Sequence, residues 1–402
     1  MKRVVITGAG TINPLARDVA GTYAAFSEGR CAIGPLDLAD KQRLEIKIAA
    51  QVQNWSPPEW FGRHKIALYD RFTQFALIAA RQAVAQSGLS FAGELGDASG
   101  VVLGTAAGGV NTWNESYRSV YQDGKNRVHP FVVPKLMNNA AASHISIEFG
   151  LRGPSLSVST ACASSNHAMG LALQLLRGGS SKVILTGGSE SMLCFGGLKA
   201  WEGLRVMSPD ACRPFSLDRS GMVQGEGAAV FVFEELEHAK SRGAEILAEV
   251  IGFCMTSDAS DIVMPSQQGA ARAIAGALRD GGLNPEDVGY INAHGTGTIA
   301  NDRTECAAIS QVFQDHADRL MISSTKAMHG HLIGGAGAVE LLACLMALDK
   351  GVIAPTIGYQ LADPECDLDV VPNVARDQSI NVALSNAFAF GGQNAVIALR
   401  NA

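Results

Sequence analysis

Short apolar runs alternate with amphipathic stretches along this chain. "RVVITG" (Arg3 to Gly8), "GVVLGT" (Gly100 to Thr105), "KVILTGG" (Lys182 to Gly188) and "VFVFEEL" (Val230 to Leu236) have the pattern of strands. "RFTQFALIAARQAVAQSGL" places apolar residues at helical spacing and then stops at a glycine, which predicts a helix from Arg71 to Leu89. Strands this apolar need cover on both faces, so the pattern predicts an α/β fold with a largely parallel sheet.

The pattern also repeats. "ARQAVAQSGL" leads into "GVVLGTAAGG", and "IAGALRDGGL" (Ile274 to Leu283) leads into "VGYINAHGTGT" (Val288 to Thr298). Ser159-Thr160 opens one small-residue helix, and Ser324-Thr325 opens "KAMHGHLIGGAGAVELLACLMALDKG". "KVILTGG" is echoed by "INVALSNAFAFGG" (Ile380 to Gly392). The elements recur in one order at a domain-sized period, too long for a solenoid. Two pseudo-twofold halves are expected, 1–250 and 251–402, with equivalent loops meeting at one central site.

Composition narrows the class. Hydrophobic residues make up 47% of the 402 positions and charged residues 17%, enough for a large core in two or three domain-sized units. A formal net charge of -6 argues against a broad nucleic-acid surface or a polybasic membrane anchor. Eight cysteines without CxxC pairs suggest neither a disulfide framework nor a zinc site. There is no signal-peptide pattern at the start and no long uninterrupted apolar run. The expected location is the reducing cytoplasm. "VVITGAGTIN" has Gly8-x-Gly10 after a strand, but Asn13 stands where a dinucleotide fingerprint needs its third glycine. A tight strand-to-loop turn is expected there.

The candidate chemistry lies elsewhere. Cys162 sits among small residues in "STACASS" at the start of a helix, where the dipole favours a thiolate. His294, in "NAHGTGT", ends a strand, and His331, in "KAMHGH", opens a helix. The repeat brings these loop ends toward Cys162, at the carboxyl ends of strands where α/β folds collect ligands. A thiol can hold an acyl group covalently. Two neutral imidazole N–H groups can stabilise an enolate oxygen. Carbon-carbon condensation needs this set, whereas a thiol protease asks for one histidine and an orienting Asn or Asp.

The motifs "STACASS", "NAHGTGT", "STKAMHGH", "GEGAA" (Gly225 to Ala229) and "NAFAFGG" (Asn386 to Gly392) span nearly the whole chain. In that order and spacing, the chain resembles the β-ketoacyl-acyl carrier protein synthases of the elongating type II class, in the thiolase superfamily. The resemblance implies a five-layered αβαβα thiolase fold, a homodimer and an acyl carrier protein partner. The implied reaction is decarboxylating condensation of an acyl chain on Cys162 with a malonyl thioester, with no required cofactor. Cys162, His294, His331 and Lys326 would be catalytic, with Lys326 orienting the site through Glu305. The N–H groups of Cys162 and Phe390 would form an oxyanion hole. Phe390, Ala107 and Trp201 would gate and line the acyl pocket. Thr296 and Thr298 would bind the pantetheine arm. A structural monovalent cation is implied near Asn292, Glu340, Ser385 and Asn386. Arg63, His64, Lys65, Lys125, Arg127 and Arg205 fall where the carrier would dock.

The chain departs from the family in places. Ala389 replaces a glycine of the gating loop and Gln393 a threonine. "DASDIVMP" (Asp258 to Pro265) lacks a hydroxyl the family often places near pantetheine, and "TWNESYRSVYQDG" has no close match in the familiar elongation enzymes. These departures bear on substrate preference more than on reaction type. A small Ala107 suggests a tunnel open to medium and long chains, so a specialised acyl or polyketide ketosynthase is the alternative pathway. A thiolase would carry a second cysteine near the C-terminal glycine loop, and a non-catalytic chain-length partner would lack the nucleophile.

Overall fold

The computed structural model describes residues 1–402. Ten strands form one mixed sheet: β1 (Val4–Ile12), β2 (Ser99–Gly104), β3 (Ser155–Val158), β4 (Val183–Glu190), β5 (Gly227–Glu235), β6 (Ala248–Ser257), β7 (Tyr290–Asn292), β8 (Met321–Ser323), β9 (Val382–Ala389) and β10 (Gln393–Arg400). Their spatial order is β8-β7-β9-β10-β6-β1-β5-β4-β2-β3. The seam between β6 and β1 holds only the pairs Val5–Glu249 and Ile6–Ala248.

Each side of that seam repeats one design. In the first five strands, β3/β2 and β2/β4 are parallel, while β4/β5 and β5/β1 are antiparallel. In the last five, β8/β7 and β7/β9 are parallel, while β9/β10 and β10/β6 are antiparallel. The expected "largely parallel" sheet is therefore mixed. The apolar pattern misled because it reports cover, not direction: all nine residues of β1 are buried although both its neighbours run antiparallel to it.

Five helices complete the layers: α1 (Arg71–Ser87), α2 (Ser164–Arg177), α3 (Gln267–Gly281), α4 (Ile299–Phe313) and α5 (Ala336–Lys350). The predicted helix and α1 agree within two residues. Asp70 caps its start, accepting from Phe72 N–H, and Gly88 ends it at φ 66°. Its repeat partner α3 ends the same way on Gly282 at φ 64°. α1 covers β1 and β5, and α3 covers β6 and β10. Between the half-sheets lie α2 and α5, each touching strands of both halves. The order is thus helix, sheet, helix, sheet, helix. α5 is buried from Ala336 to Leu348, which explains why its sequence is apolar all round. Its one buried charge, Glu340, therefore needs a partner. No helix is long and apolar enough to cross a membrane.

"GAG" is neither a cofactor loop nor a turn, because β1 runs through it to Ile12. These glycines let α1 approach: a Cβ on Gly8 would lie 2.1 Å from the Ala83 carbonyl oxygen, and one on Gly10 2.0 Å from that of Ala79. Gly10→Ala should therefore push the helix off the sheet, costing about 1–3 kcal/mol and lowering the thermal unfolding midpoint. Gly34→Ala, where a Cβ meets nothing within 4 Å, should leave it in place. Equal midpoints for the two variants would contradict this packing role.

Candidate active site

β3 ends at Val158, and four residues later Cys162 stands just before α2. The turn is sharp because Ala161 adopts φ 46°, which a residue with a Cβ seldom does. Ser164 holds it there: its hydroxyl accepts from Thr160 N–H at 2.9 Å and donates to the Ala161 carbonyl at 2.7 Å. Cys162 is thus aimed from a strained turn at a helix start. Burial pushes its thiol up to about 12, against the pull of the Lys326 ammonium. The expected helix-start thiolate is overruled by burial, so the resting group is a thiol.

His294 lies two residues past the end of β7, and His331 follows β8. The ligating atoms of Cys162, His294 and His331 all lie within 4.8 Å of one another. The two rings are nearly perpendicular, 82°, with centroids 5.3 Å apart. The Ile333 N–H donates to His331 Nδ1 at 3.1 Å, so the ring proton resides on Nε2. That Nε2 is buried and has no partner. Lys326 Nζ lies 3.4 Å from His294 Nδ1 and gives His294 the same tautomer. Burial first, and the Lys326 charge second, hold both histidines well below the ordinary imidazole range. Two neutral Nε2–H donors therefore face the thiol. A thiol and two imidazoles are also a zinc ligand set, but the ammonium beside His294 opposes a dication there.

The support differs from expectation in one respect. Lys326, fully buried, forms its ion pair with Glu340 rather than with Glu305. Glu305 instead accepts the N–H groups of His294 and Gly295, at 2.9 and 2.8 Å, and the Asn386 amide at 3.1 Å. It shapes the loop that carries His294, and burial pushes its carboxyl up to about 7. The sequence reading missed the Lys326–Glu340 pair because α5 brings in Glu340 from the second half's central layer. A lone acid in an apolar helix was the available signal.

A cavity of about 170 Å³ opens from Cys162, His294 and His331. Trp201, Phe390, Thr296 and Thr298 also line it. Trp201 and Phe390 stack at 5.9 Å and 24°. The two threonine hydroxyls are 2.8 Å apart, and Thr298 caps α4. Ala107 lies outside this lining, half-buried in the loop after β2. Ala389 brings no strain: it ends β9 paired with Gln393, and the left-handed positions of the hairpin are Gly391 and Gly392 at φ 82° and 66°. Asn292 and Ser385 are register partners on β7 and β9. The Oδ1 atoms of Asn292 and Asn386 are buried without hydrogen-bond partners. Such oxygens suit a hard cation. Arg63, His64, Lys65, Lys125, Arg127 and Arg205 are all exposed, and Lys65 and Lys125 face Glu148 and Asp123.

Comparison with known proteins agrees with this architecture. Residues 1–239 match the family described as "Beta-ketoacyl synthase, N-terminal domain", and residues 247–360 match its "C-terminal domain". The chain is 48% identical over 399 residues to "Nodulation protein E" of Rhizobium leguminosarum bv. trifolii, covering 99% of both chains. It is 40% identical over 407 residues to "3-oxoacyl-[acyl-carrier-protein] synthase 2" of Synechocystis sp., covering 99% of this chain and 98% of that one. A solved type II polyketide ketosynthase with its acyl-carrier protein superposes at TM-score 0.91, with 30% identity, over 100% of this chain and 99% of that one. The fold and the matches make it a condensing acyltransferase. The chain belongs to the beta-ketoacyl synthase family.

Because burial depresses both site histidines, the folded protein resists the protons that unfolded imidazoles take up below about pH 6.5, and stability should fall on acidification through that range. Their ring nitrogens, followed by ¹⁵N resonance in histidine-labelled protein, should not titrate between about pH 5.5 and 8. A midpoint near 6.5 for either ring would contradict the neutral-donor arrangement.

Proposed function

We propose that Cys162 takes an acyl chain from a carrier thioester and condenses it with a malonyl thioester. In the first step the Cys162 sulfur attacks the acyl carbonyl, the thioester bond to the carrier breaks, and the thiol proton leaves with the carrier sulfur. Malonyl carrier then enters with its thioester oxygen on the Nε2–H groups of His294 and His331. The bond to the carboxylate breaks, carbon dioxide departs, and the electron pair passes into an enolate held by those donors. The enolate carbon attacks the acyl carbonyl and the bond to Cys162 breaks. The products are 3-oxoacyl carrier and carbon dioxide, and the Cys162 thiolate takes up one proton from water to restore the thiol. The observation that carries this reading is the convergence of one thiol and two neutral imidazoles within 4.8 Å, one of them with a buried, unpartnered Nε2.

Other features support the details. Cys162 is the only cysteine lining the cavity, which favours a decarboxylating enzyme over a thiolase. The N–H groups of Cys162 and Phe390 would stabilise the tetrahedral oxyanion, and Thr296 and Thr298 would hold the pantetheine arm. Asn292, Ser385, Asn386 and Glu340 would hold a monovalent cation that stiffens the strands beneath His294. The repeated strand order supports halves 1–250 and 251–402, carrying the nucleophile and the histidines respectively. A homodimer is supported by β3, which ends the sheet with Leu156 exposed, and by exposed Phe131, Val133 and Met137. Such an uncovered apolar edge needs a partner. A monomer in sedimentation at working concentration would contradict it. The small Ala107 keeps open the specialised-chain reading, in which long acyl groups pass that loop. Ala107→Phe should then block long-chain loading of Cys162 and spare short chains, and unchanged relative loading would remove Ala107 from the tunnel.

The central test divides the labour. Cys162→Ala should abolish acyl loading and condensation and retain malonyl decarboxylation. His294→Ala and His331→Ala should lower decarboxylation by about 10²- to 10³-fold and leave Cys162 able to acylate. Condensation by the Cys162→Ala protein would contradict the assignment. Charge reversal at Arg127 and Arg205 should raise KM for carrier-bound substrate more than for free pantetheine thioesters. Equal losses on both substrates would remove these residues from the docking surface.

A further inference from the structure

Glu190 ends β4, fully buried, with no role in the chemistry above. Its carboxylate gathers neutral donors from two loops. Oε2 accepts the Ala106 N–H at 2.6 Å and the Gly334 N–H at 3.2 Å, and Oε1 accepts the Thr105 hydroxyl at 3.1 Å. The first loop follows β2 and carries Ala107. The second carries His331. One carboxylate therefore ties the two together.

The second loop is strained. Ile333 is buried and β-branched, yet sits at φ 49°, where such a residue is a genuine outlier and persists only when its surroundings hold it. In that conformation the Ile333 N–H reaches His331 Nδ1, while the next N–H, of Gly334, reaches Glu190. Gly334 is a glycine for a visible reason: a Cβ there would lie 2.6 Å from Glu190 Oε2 and 2.3 Å from the Ala106 nitrogen. The Gly334 carbonyl is held from the other side by the Ser165 hydroxyl. The strained turn is thus anchored through both backbone polar groups of a single residue, Gly334, and its product is the N–H that fixes the tautomer of His331.

We infer that Glu190 is a positioning residue for decarboxylation: it locks the Ile333–Gly334 turn, and through the Ile333 N–H it keeps the proton of His331 on the nitrogen that faces substrate. This rests on His331 acting as the enolate donor. Without the carboxylate the turn relaxes, the Ile333 N–H leaves Nδ1, and the ring is free to exchange tautomers or rotate. The Cys162 turn is held by Ser164, and removing the Glu190 charge eases ionisation of the thiol rather than opposing it, so acyl loading should survive the change.

The test uses full-length protein and three readouts: carbon dioxide release from malonyl carrier, acyl loading of Cys162 by intact mass, and ¹⁵N shifts of the histidine rings. Glu190→Ala and Gly334→Ala should lower decarboxylation about 10²-fold, the scale of a donor misplaced by about 1 Å, with loading retained. The His331 signals should move from the Nε2–H pattern toward a tautomer mixture. Glu190→Gln, which keeps one acceptor oxygen, should fall between. Ile333→Gly in the Glu190→Ala background removes the left-handed strain and should recover part of the lost rate, which a purely structural role would not predict. Wild-type decarboxylation and an unchanged His331 tautomer in Glu190→Ala or Gly334→Ala, with His331→Ala inactive, would overturn the role of Glu190 alone. Full decarboxylation by His331→Ala would instead overturn the reading of His331 on which it rests.

Discussion

Lys326 is buried completely, and an ammonium can remain there only because the Glu340 carboxylate on the central helix pairs with it. Much of the site follows from that pair. The charge sits 3.4 Å from His294 Nδ1 and adds to burial in holding both histidines well below the ordinary imidazole range. Neutral rings are the form the proposed condensation needs, because each would offer one N–H to a developing enolate. The same ammonium pulls the buried thiol toward its thiolate, though burial still wins in the resting protein. Loss of either partner would leave the other charge buried and unpaired, so the pair is as much a folding constraint as a chemical one.

The duplicated sheet explains how distant residues meet. Each half delivers loops from the carboxyl ends of its parallel strands to the same place. β3 leads into the Cys162 turn, and its counterpart β8 leads into the Lys326–His331 segment. β7 delivers His294, and its counterpart β2 delivers the loop that Glu190 holds. Cys162 and its turn thus come from one half, and His294 and His331 from the other. Strained non-glycine residues mark both deliveries, Ala161 before the thiol and Ile333 after the imidazole. Each is clamped by a hydrogen-bonding side chain, Ser164 at the start of α2 in one case and Glu190 at the end of β4 in the other.

Much of this was legible in the sequence, for identifiable reasons. The apolar runs located the first strands, and the glycine stop ended α1 within two residues of its observed end. The repeat anticipated the paired loops because equivalent elements kept their order. Strand direction was not legible, because a strand covered on both faces looks alike in either sense. Nor was the partner of Lys326: the family resemblance pointed to Glu305, but α5 brings Glu340 in from behind. Glu190 was hidden for a different reason. An acid after Gly187-Gly188-Ser189 at a strand's carboxyl end is a signal, but its partners are backbone N–H groups of two loops that the sequence does not place side by side.

Eight cysteines are present and only Cys162 lines the cavity with both histidines, so the site of covalent attachment is the most direct measure of the whole arrangement. The decisive measurement is peptide-mapping mass spectrometry of the wild-type protein after incubation with an acyl-carrier thioester. A single acyl adduct is expected, confined to the peptide containing Cys162 and discharged when malonyl carrier is added. An adduct on any other cysteine, or one on Cys162 that malonyl carrier does not remove, would contradict it.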